Sequence, residues 1–89
     1  MALVLNARAG SKFYVGQNWI KVKRIDSPTS VRIVTDAGTR YDLVGDDETE
    51  VFLRVWIGIA DTDATTHLRL TFDAPPEIVI MRSELTERG

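Results

Sequence analysis

The chain of 89 residues has no cysteine, one histidine, three prolines and no long apolar run. Without cysteine there is no disulfide and no thiolate metal site, which fits an expected cytoplasmic location. The first residues lack the features of a signal peptide. No window approaches the roughly 18 apolar residues of a membrane-spanning helix, so we expect no membrane segment.

His67 has no nucleophile motif around it and the acidic run at 46–50 lacks calcium-loop spacing. We therefore expect no enzyme activity, no metal and no cofactor.

Charge is divided unevenly along the chain although the net value is only −2. Residues 1–45 carry seven Lys/Arg against three Asp/Glu, whereas residues 46–89 carry four against ten. This division excludes a uniformly basic nucleic-acid binder with a large sequence-independent affinity. Any RNA contact would have to be local and depend on a few basic side chains.

Apolar and polar residues alternate with period two through most of the chain, and helical periodicity is nearly absent. The pattern predicts a single all-β domain with short turns and without an internal repeat. The expected strands are 3–5, 12–15, 19–25, 31–35, 40–44, 51–59, 67–72 and 78–81. Ser83 is a suitable N-cap, which predicts a short helical turn at the end of the chain.

The last predicted strand, Ile78 to Met81, is apolar at four consecutive positions. A strand that is apolar on both faces has to be covered on two sides. A chain of this length has a small core of its own, so the pattern suggests that a second subunit supplies one cover.

Both ends of the chain resemble one protein family. The opening reads Leu3-Val-Leu-Asn-Ala-Arg8-Ala-Gly10, with Gly16 six residues further on. The closing part reads Trp56-Ile-Gly-Ile59, then His67-Leu-Arg-Leu-Thr-Phe-Asp-Ala-Pro75-Pro-Glu-Ile-Val-Ile-Met-Arg82-Ser-Glu-Leu85. Residues 2–16 and 52–86 are similar to the carbon storage regulators (CsrA/RsmA). Two positions depart from the family pattern: Ala7 stands where many members have a basic residue, and Met81 where a histidine is common.

The resemblance implies a small intertwined β homodimer that regulates translation after transcription. Members bind GGA-containing hairpin loops of mRNA, over ribosome-binding sites, or of small RNAs, and so change translation initiation or message stability. Their RNA site joins the first strand of one subunit to the last strand of the partner. Carried over to this chain, the site residues are Leu5, Asn6, Arg8, Ile78, Ile80, Met81 and Arg82.

Residues 17–51 form the largest departure from the family, which has only a short connection there. We expect this segment to be an inserted β-meander that is an appendage to the core. Its basic side chains, with Trp19 and Tyr41 nearby, could provide auxiliary RNA contacts. These side chains are Lys21, Lys23, Arg24, Arg32 and Arg40.

Two other interpretations of the inserted segment stay open at this point: the solvated polar face of an amphipathic sheet, and a protein-binding surface or altered dimer contact. The rival to RNA regulation as a whole is a protein-interaction module with weak or lost RNA binding. Such a module would act on a regulator or another protein partner.

Overall fold

The computed structural model describes residues 2–27, 29–45, 47–60 and 67–83. These residues form nine strands and no helix, which confirms the all-β prediction. The strands are β1 (Ala2–Arg8), β2 (Lys12–Val15), β3 (Asn18–Ser27), β4 (Ser30–Thr35), β5 (Arg40–Val44), β6 (Thr49–Phe52), β7 (Val55–Ile59), β8 (His67–Asp73) and β9 (Ile80–Arg82). The helical turn expected after Ser83 lies outside the described residues.

The strands form two antiparallel sheets. One sheet has four strands in the order β1-β8-β7-β6, and the other has five in the order β5-β4-β3-β2-β9. The chain passes from the first sheet to the second after β1, returns at β6, and crosses again before β9. These crossings tie the two sheets together within one chain.

A single hydrophobic core lies between the sheets. On β4, for example, Val31 and Ile33 are buried while Arg32 and Val34 point outward, as period-two alternation requires. The rings of Phe13 on β2 and Phe72 on β8 meet across the core with centroids 5.4 Å apart. The Cα radius of gyration is 11.8 Å, close to the roughly 12 Å expected for a compact domain of this length.

The inserted segment belongs to this core, so the expectation of an appendage is wrong. Strands β3, β4 and β5 lie within 17–51 and make up most of the five-stranded sheet. Of the ten largest fully buried side chains, the segment supplies Ile20, Val22, Val31, Ile33 and Leu43. Removing the segment would remove one wall of the core.

The predicted strand at 51–59 is wrong in one respect, because it is two strands joined by a tight turn at Leu53 and Arg54. Arg54 adopts a left-handed backbone conformation with a φ of 66°. Its amide donates a hydrogen bond of 2.8 Å to Oε2 of Glu50, which closes the turn. The turn contains no glycine, asparagine or proline, so the usual sequence signal for a hairpin is missing.

The last strand is shorter than predicted, since β9 begins only at Ile80. Ile78 and Ile80 are half-buried against the core, but Val79 and Met81 are 60% and 56% exposed. A single chain therefore covers only one of the two apolar faces, and the second subunit expected to cover the other stays a prediction. The opposite sheet covers one face, and the other is left to solvent at the sheet edge.

The two sheets are related by an internal repeat, which contradicts the expectation from the alternation alone. Trp19-Ile20 recurs as Trp56-Ile57, and Val-Arg-Ile-Val-Thr-Asp-Ala at 31–37 recurs as Leu-Arg-Leu-Thr-Phe-Asp-Ala at 68–74, both with a spacing of 37 residues. The topology repeats with the sequence for three strands, because β2-β3-β4 and β6-β7-β8 are neighbours in the same order; the fourth place is taken by β5 in one sheet and by β1 in the other. Strand β9, beside β2, has no counterpart beside β6 in the described residues.

Candidate nucleic-acid interface

The residues expected to form the RNA site from the first and last strands lie in different sheets of the single chain. Leu5, Asn6 and Arg8 lie on β1, which pairs with β8. Ile80, Met81 and Arg82 lie on β9, which pairs with β2, and Ile78 lies just before that strand. The Cζ atom of Arg82 is 5.4 Å from the centroid of the Phe13 ring. The two groups therefore do not lie on neighbouring strands within one chain.

The basic residues of the inserted segment, in contrast, are brought together on the outer face of the five-stranded sheet. Residues that are directly opposite in the register share a face. The register aligns Lys12, Lys21, Val34 and Arg40 across β2, β3, β4 and β5. The next row pairs Arg24 with Arg32. We call this surface the basic face.

A β-bulge adds one more cation to the basic face. The register between β3 and β4 shifts between Val22 and Arg24, and both Lys23 and Arg24 are exposed. A bulge places an extra residue on one strand and redirects its side chains. As a result, Lys23, Arg24, Arg32 and Arg40 line a common groove with a volume of about 480 Å³.

Two of these cations are engaged by carboxylates of the same face. The guanidinium of Arg32 donates two hydrogen bonds to Asp42, of 2.8 and 3.3 Å, and Arg24 pairs with Asp26 at 2.8 Å. The hydrogen bond from Arg32, supported by its positive charge, lowers the pKa of Asp42. Among the described residues, Lys21, Lys23 and Arg40 have no carboxylate partner. They are therefore the cations available to a phosphate.

An aromatic pair lies beside the cations. Tyr14 on β2 is directly opposite Trp19 on β3, and both rings are partly exposed. The Nζ atom of Lys12 lies 4.4 Å from the centroid of the Trp19 ring and 5.3 Å from that of Tyr14. Such cation–π contacts hold the ammonium beside both rings. The surface thus offers rings for stacking and ammonium groups for phosphates.

Sequence reasoning assigned Tyr41 to this surface and missed Lys12 and Tyr14. Tyr41 points inward, where it packs against the core and its hydroxyl lies 3.5 Å from the carbonyl oxygen of Val51. Phe13 and Val15 of β2 are buried, so period-two alternation puts Lys12 and Tyr14 on the outer face. The apolar and polar order of this strand was the sequence signal that could have identified them. The turn at Gly16, with a φ of 62°, fixes the register that places Tyr14 opposite Trp19.

The corresponding outer face of the four-stranded sheet carries charges of both signs, with Glu50 and Asp73 beside Trp56 and with Arg8 on β1 and Arg69 on β8. Gly58 occupies the position that Lys21 has in the other repeat, 37 residues earlier. Glu48 folds over Gly58, and the hydroxyl of Thr71 donates a hydrogen bond of 3.4 Å to its Oε2 atom. Acidic side chains repel a phosphate backbone. Of the two related faces, the basic face has the larger excess of cations, with Lys12, Lys21, Lys23, Arg24, Arg32 and Arg40.

The close approach of Glu48 to Gly58 gives a testable prediction. A Cβ atom at position 58 would lie 2.9 Å from Cγ of Glu48 and 3.3 Å from the carbonyl oxygen of Asp47. Gly58→Ala should therefore displace the acidic loop and lower the free energy of unfolding by about 1 kcal/mol, as small overpacking does. Urea denaturation of Gly58→Ala, Glu48→Ala and the double variant measures this. Because Glu48→Ala removes the Cγ atom, the loss should shrink in that background; equal losses would refute the contact.

Comparison of the chain with protein-family models, curated protein sequences and solved structures gave no match. The resemblance to the carbon storage regulators stays a prediction from the residues. In the part of the chain that the structure describes, no cluster of histidine, cysteine or carboxylate side chains could hold a metal ion. That part also contains no helix long and apolar enough to cross a membrane.

Proposed function

We propose that the protein is a post-transcriptional regulator that binds single-stranded RNA on its basic face and thereby controls translation. The observation that carries the proposal is the cluster of Tyr14, Trp19 and Lys12 next to Lys21, Lys23 and Arg40, three cations without a carboxylate partner among the described residues. Stacking rings beside a basic groove are the usual means by which proteins bind single-stranded nucleic acid. No catalytic step is part of this proposal.

The shape of the surface favours unpaired bases over a duplex. A ring can stack only on a base whose face is free, and bases are free in hairpin loops and single-stranded segments. The uneven charge of the chain supports the same interpretation, because most of its N-terminal cations lie on this one face. On the other sheet, the carboxylates of Glu50 and Asp73 next to Trp56 would disfavour the phosphate backbone at that place.

The resemblance to the carbon storage regulators supplies the preferred sequence within this proposal. It favours GGA in the loop of a hairpin, near the ribosome-binding site of an mRNA or in a small regulatory RNA. The basic face would contact the phosphates and stack on the loop bases.

The intertwined homodimer is the finer part of the same proposal. Exposed apolar side chains at the outer strands support it, notably Val4 on β1 and Met81 on β9. The single chain, however, closes its own core, and its basic face is complete without a partner. We therefore propose that a dimer would add the contacts of Arg8 and Arg82 to a site that one chain already provides.

A gel-shift titration with a GGA hairpin and a matched CCA hairpin tests this function. We expect the GGA hairpin to bind at least tenfold more tightly. The logarithm of the binding constant should fall with the logarithm of salt concentration with a slope of at least about −2, as three phosphate contacts on a single strand predict. Equal, weak binding of both RNAs at micromolar protein would contradict the proposal and favour a protein-interaction module.

A further inference from the structure

A groove surrounds Trp56 on the outer face of the four-stranded sheet, away from the basic face. The register pairs Trp56 with Glu50 on β6 and with Asp73 on β8, so a carboxylate lies on each side of the ring. Glu77 and the two prolines before it form a further wall, and the groove has a volume of about 460 Å³. The indole is 42% exposed. We call this site the Trp56 groove.

The internal repeat provides a template for what the Trp56 groove binds. Trp56 is the repeat counterpart of Trp19, and in that repeat the ammonium of Lys12 lies 4.4 Å from the ring centroid. Among the described residues, no cation stacks on Trp56. In the described part of the chain, the equivalent ring thus has a carboxylate residue as its register neighbour on each side and no stacked cation. A guanidinium or ammonium group within about 6 Å of a tryptophan ring is attracted to its face.

We propose that the Trp56 groove binds an arginine or lysine side chain of an extended basic segment in a partner protein. The charges of the groove select this occupant, because the carboxylates of Glu50 and Glu77 share the lining with a single described cation, Arg54. The amide of Arg54 donates a hydrogen bond of 2.8 Å to Glu50, which holds that carboxylate in place beside the ring. RNA and acidic proteins are repelled by the same charges.

The site is a shallow, open surface around one exposed ring, which the side chains of an extended segment can reach. The site lies on the opposite sheet from the proposed RNA site, so both could be occupied together. A protein partner bound there would be brought to the message without competing for the basic face.

Fluorescence anisotropy with a fluorescein-labelled peptide, Gly-Arg-Gly-Arg-Gly-Arg-Gly, tests the inference on the full chain. Trp56→Ala and Glu50→Gln should each weaken peptide binding roughly threefold to tenfold, in line with the loss of one cation–π or charge contact. Trp56→Phe should retain most of the binding. The matched control Trp19→Ala should bind the peptide like the unchanged protein, and a peptide with citrulline for arginine should bind at least tenfold more weakly.

The outcomes separate this inference from the proposed RNA function. Trp56→Ala should leave the affinity for the GGA hairpin unchanged, and circular dichroism checks that each variant is folded. Equal peptide binding by the unchanged protein, Trp56→Ala and Glu50→Gln would overturn the inference, whatever the RNA result. So would sedimentation velocity showing self-association that Trp56→Ala abolishes, because the occupant would then be a second copy of the chain.

Discussion

Replacing Trp19 by alanine should lower the affinity for a GGA hairpin by roughly tenfold to a hundredfold. Stacking of one base on an aromatic ring contributes about 1–3 kcal/mol in single-strand binding, and each 1.4 kcal/mol changes affinity tenfold. Trp19 also holds Lys12, whose Nζ atom lies 4.4 Å from its ring, so the variant loses a positioned cation as well. The gel-shift titration with the GGA hairpin measures the effect.

Two variants make this result specific. Trp19→Phe keeps a ring that can stack and should lose less than the alanine variant. Trp56→Ala removes the repeat-related ring on the other sheet and should leave RNA affinity unchanged. If Trp56→Ala weakens RNA binding as much as Trp19→Ala, or if Trp19→Ala has no effect, the RNA does not lie on the basic face.

The second large effect is expected in the core. Phe72→Ala should lower the free energy of unfolding by about 3–5 kcal/mol, because it empties the centre of the contact between the two sheets. Phe72 is fully buried and its ring centroid lies 5.4 Å from that of Phe13 on the other sheet. A small domain has a total stability of only about 5–15 kcal/mol, so this variant should be largely unfolded at moderate denaturant concentrations.

Leu53→Ala is the matched control for Phe72→Ala. Leu53 is 82% exposed at the turn between β6 and β7, so its truncation should change stability by less than about 0.5 kcal/mol. Urea denaturation followed by circular dichroism measures both variants. A loss below about 1 kcal/mol for Phe72→Ala would mean that the two sheets do not share one core.

Much of the fold could be predicted from the sequence because alternation marks each strand that has one buried face. Lys12–Val15 and Arg40–Val44 were predicted with the bounds that the structure has. The turn at Leu53 and Arg54 could not be predicted, since no residue there prefers a left-handed conformation. A hydrogen bond from the Arg54 amide to Glu50 stabilises it, and such a contact has no local sequence signal.

The arrangement of the sheets was harder to predict than the strands. Alternation states which side chains are buried but not which strand covers them. The apolar strand at 78–81 suggested a second subunit; the opposite sheet of the same chain covers Ile78 and Ile80 and leaves Val79 and Met81 exposed, so the second subunit stays a prediction. The repeat at a spacing of 37 residues was present in the sequence, with Trp19 and Trp56 as its clearest pair. The two copies share few identical residues, and dissimilar residues separate them. Period-two alternation therefore does not reveal the repeat.

The candidate site was predictable in its charges but not in its geometry. The five auxiliary cations were identified from the sequence, and the structure brings them to one face. Their grouping depends on the register of β3, β4 and β5 and on the bulge at Lys23, which composition does not reveal. Tyr41 was assigned to the wrong face although it alternates in step with Leu43, which is buried, so both side chains lie on the inner face of β5.

The two tryptophans, one on each outer face, allow the central claim to be tested in a single measurement. In a ¹⁵N-labelled sample, each indole N–H gives a separate NMR signal that Trp19→Phe and Trp56→Phe assign. On titration with unlabelled GGA hairpin, we expect the Trp19 signal to shift or broaden while the Trp56 signal stays in place. Movement of the Trp56 signal alone would contradict RNA binding on the basic face. So would unmoved indoles together with shifted amides of Leu5 and Arg82, which would place the RNA at the strands of the dimer site.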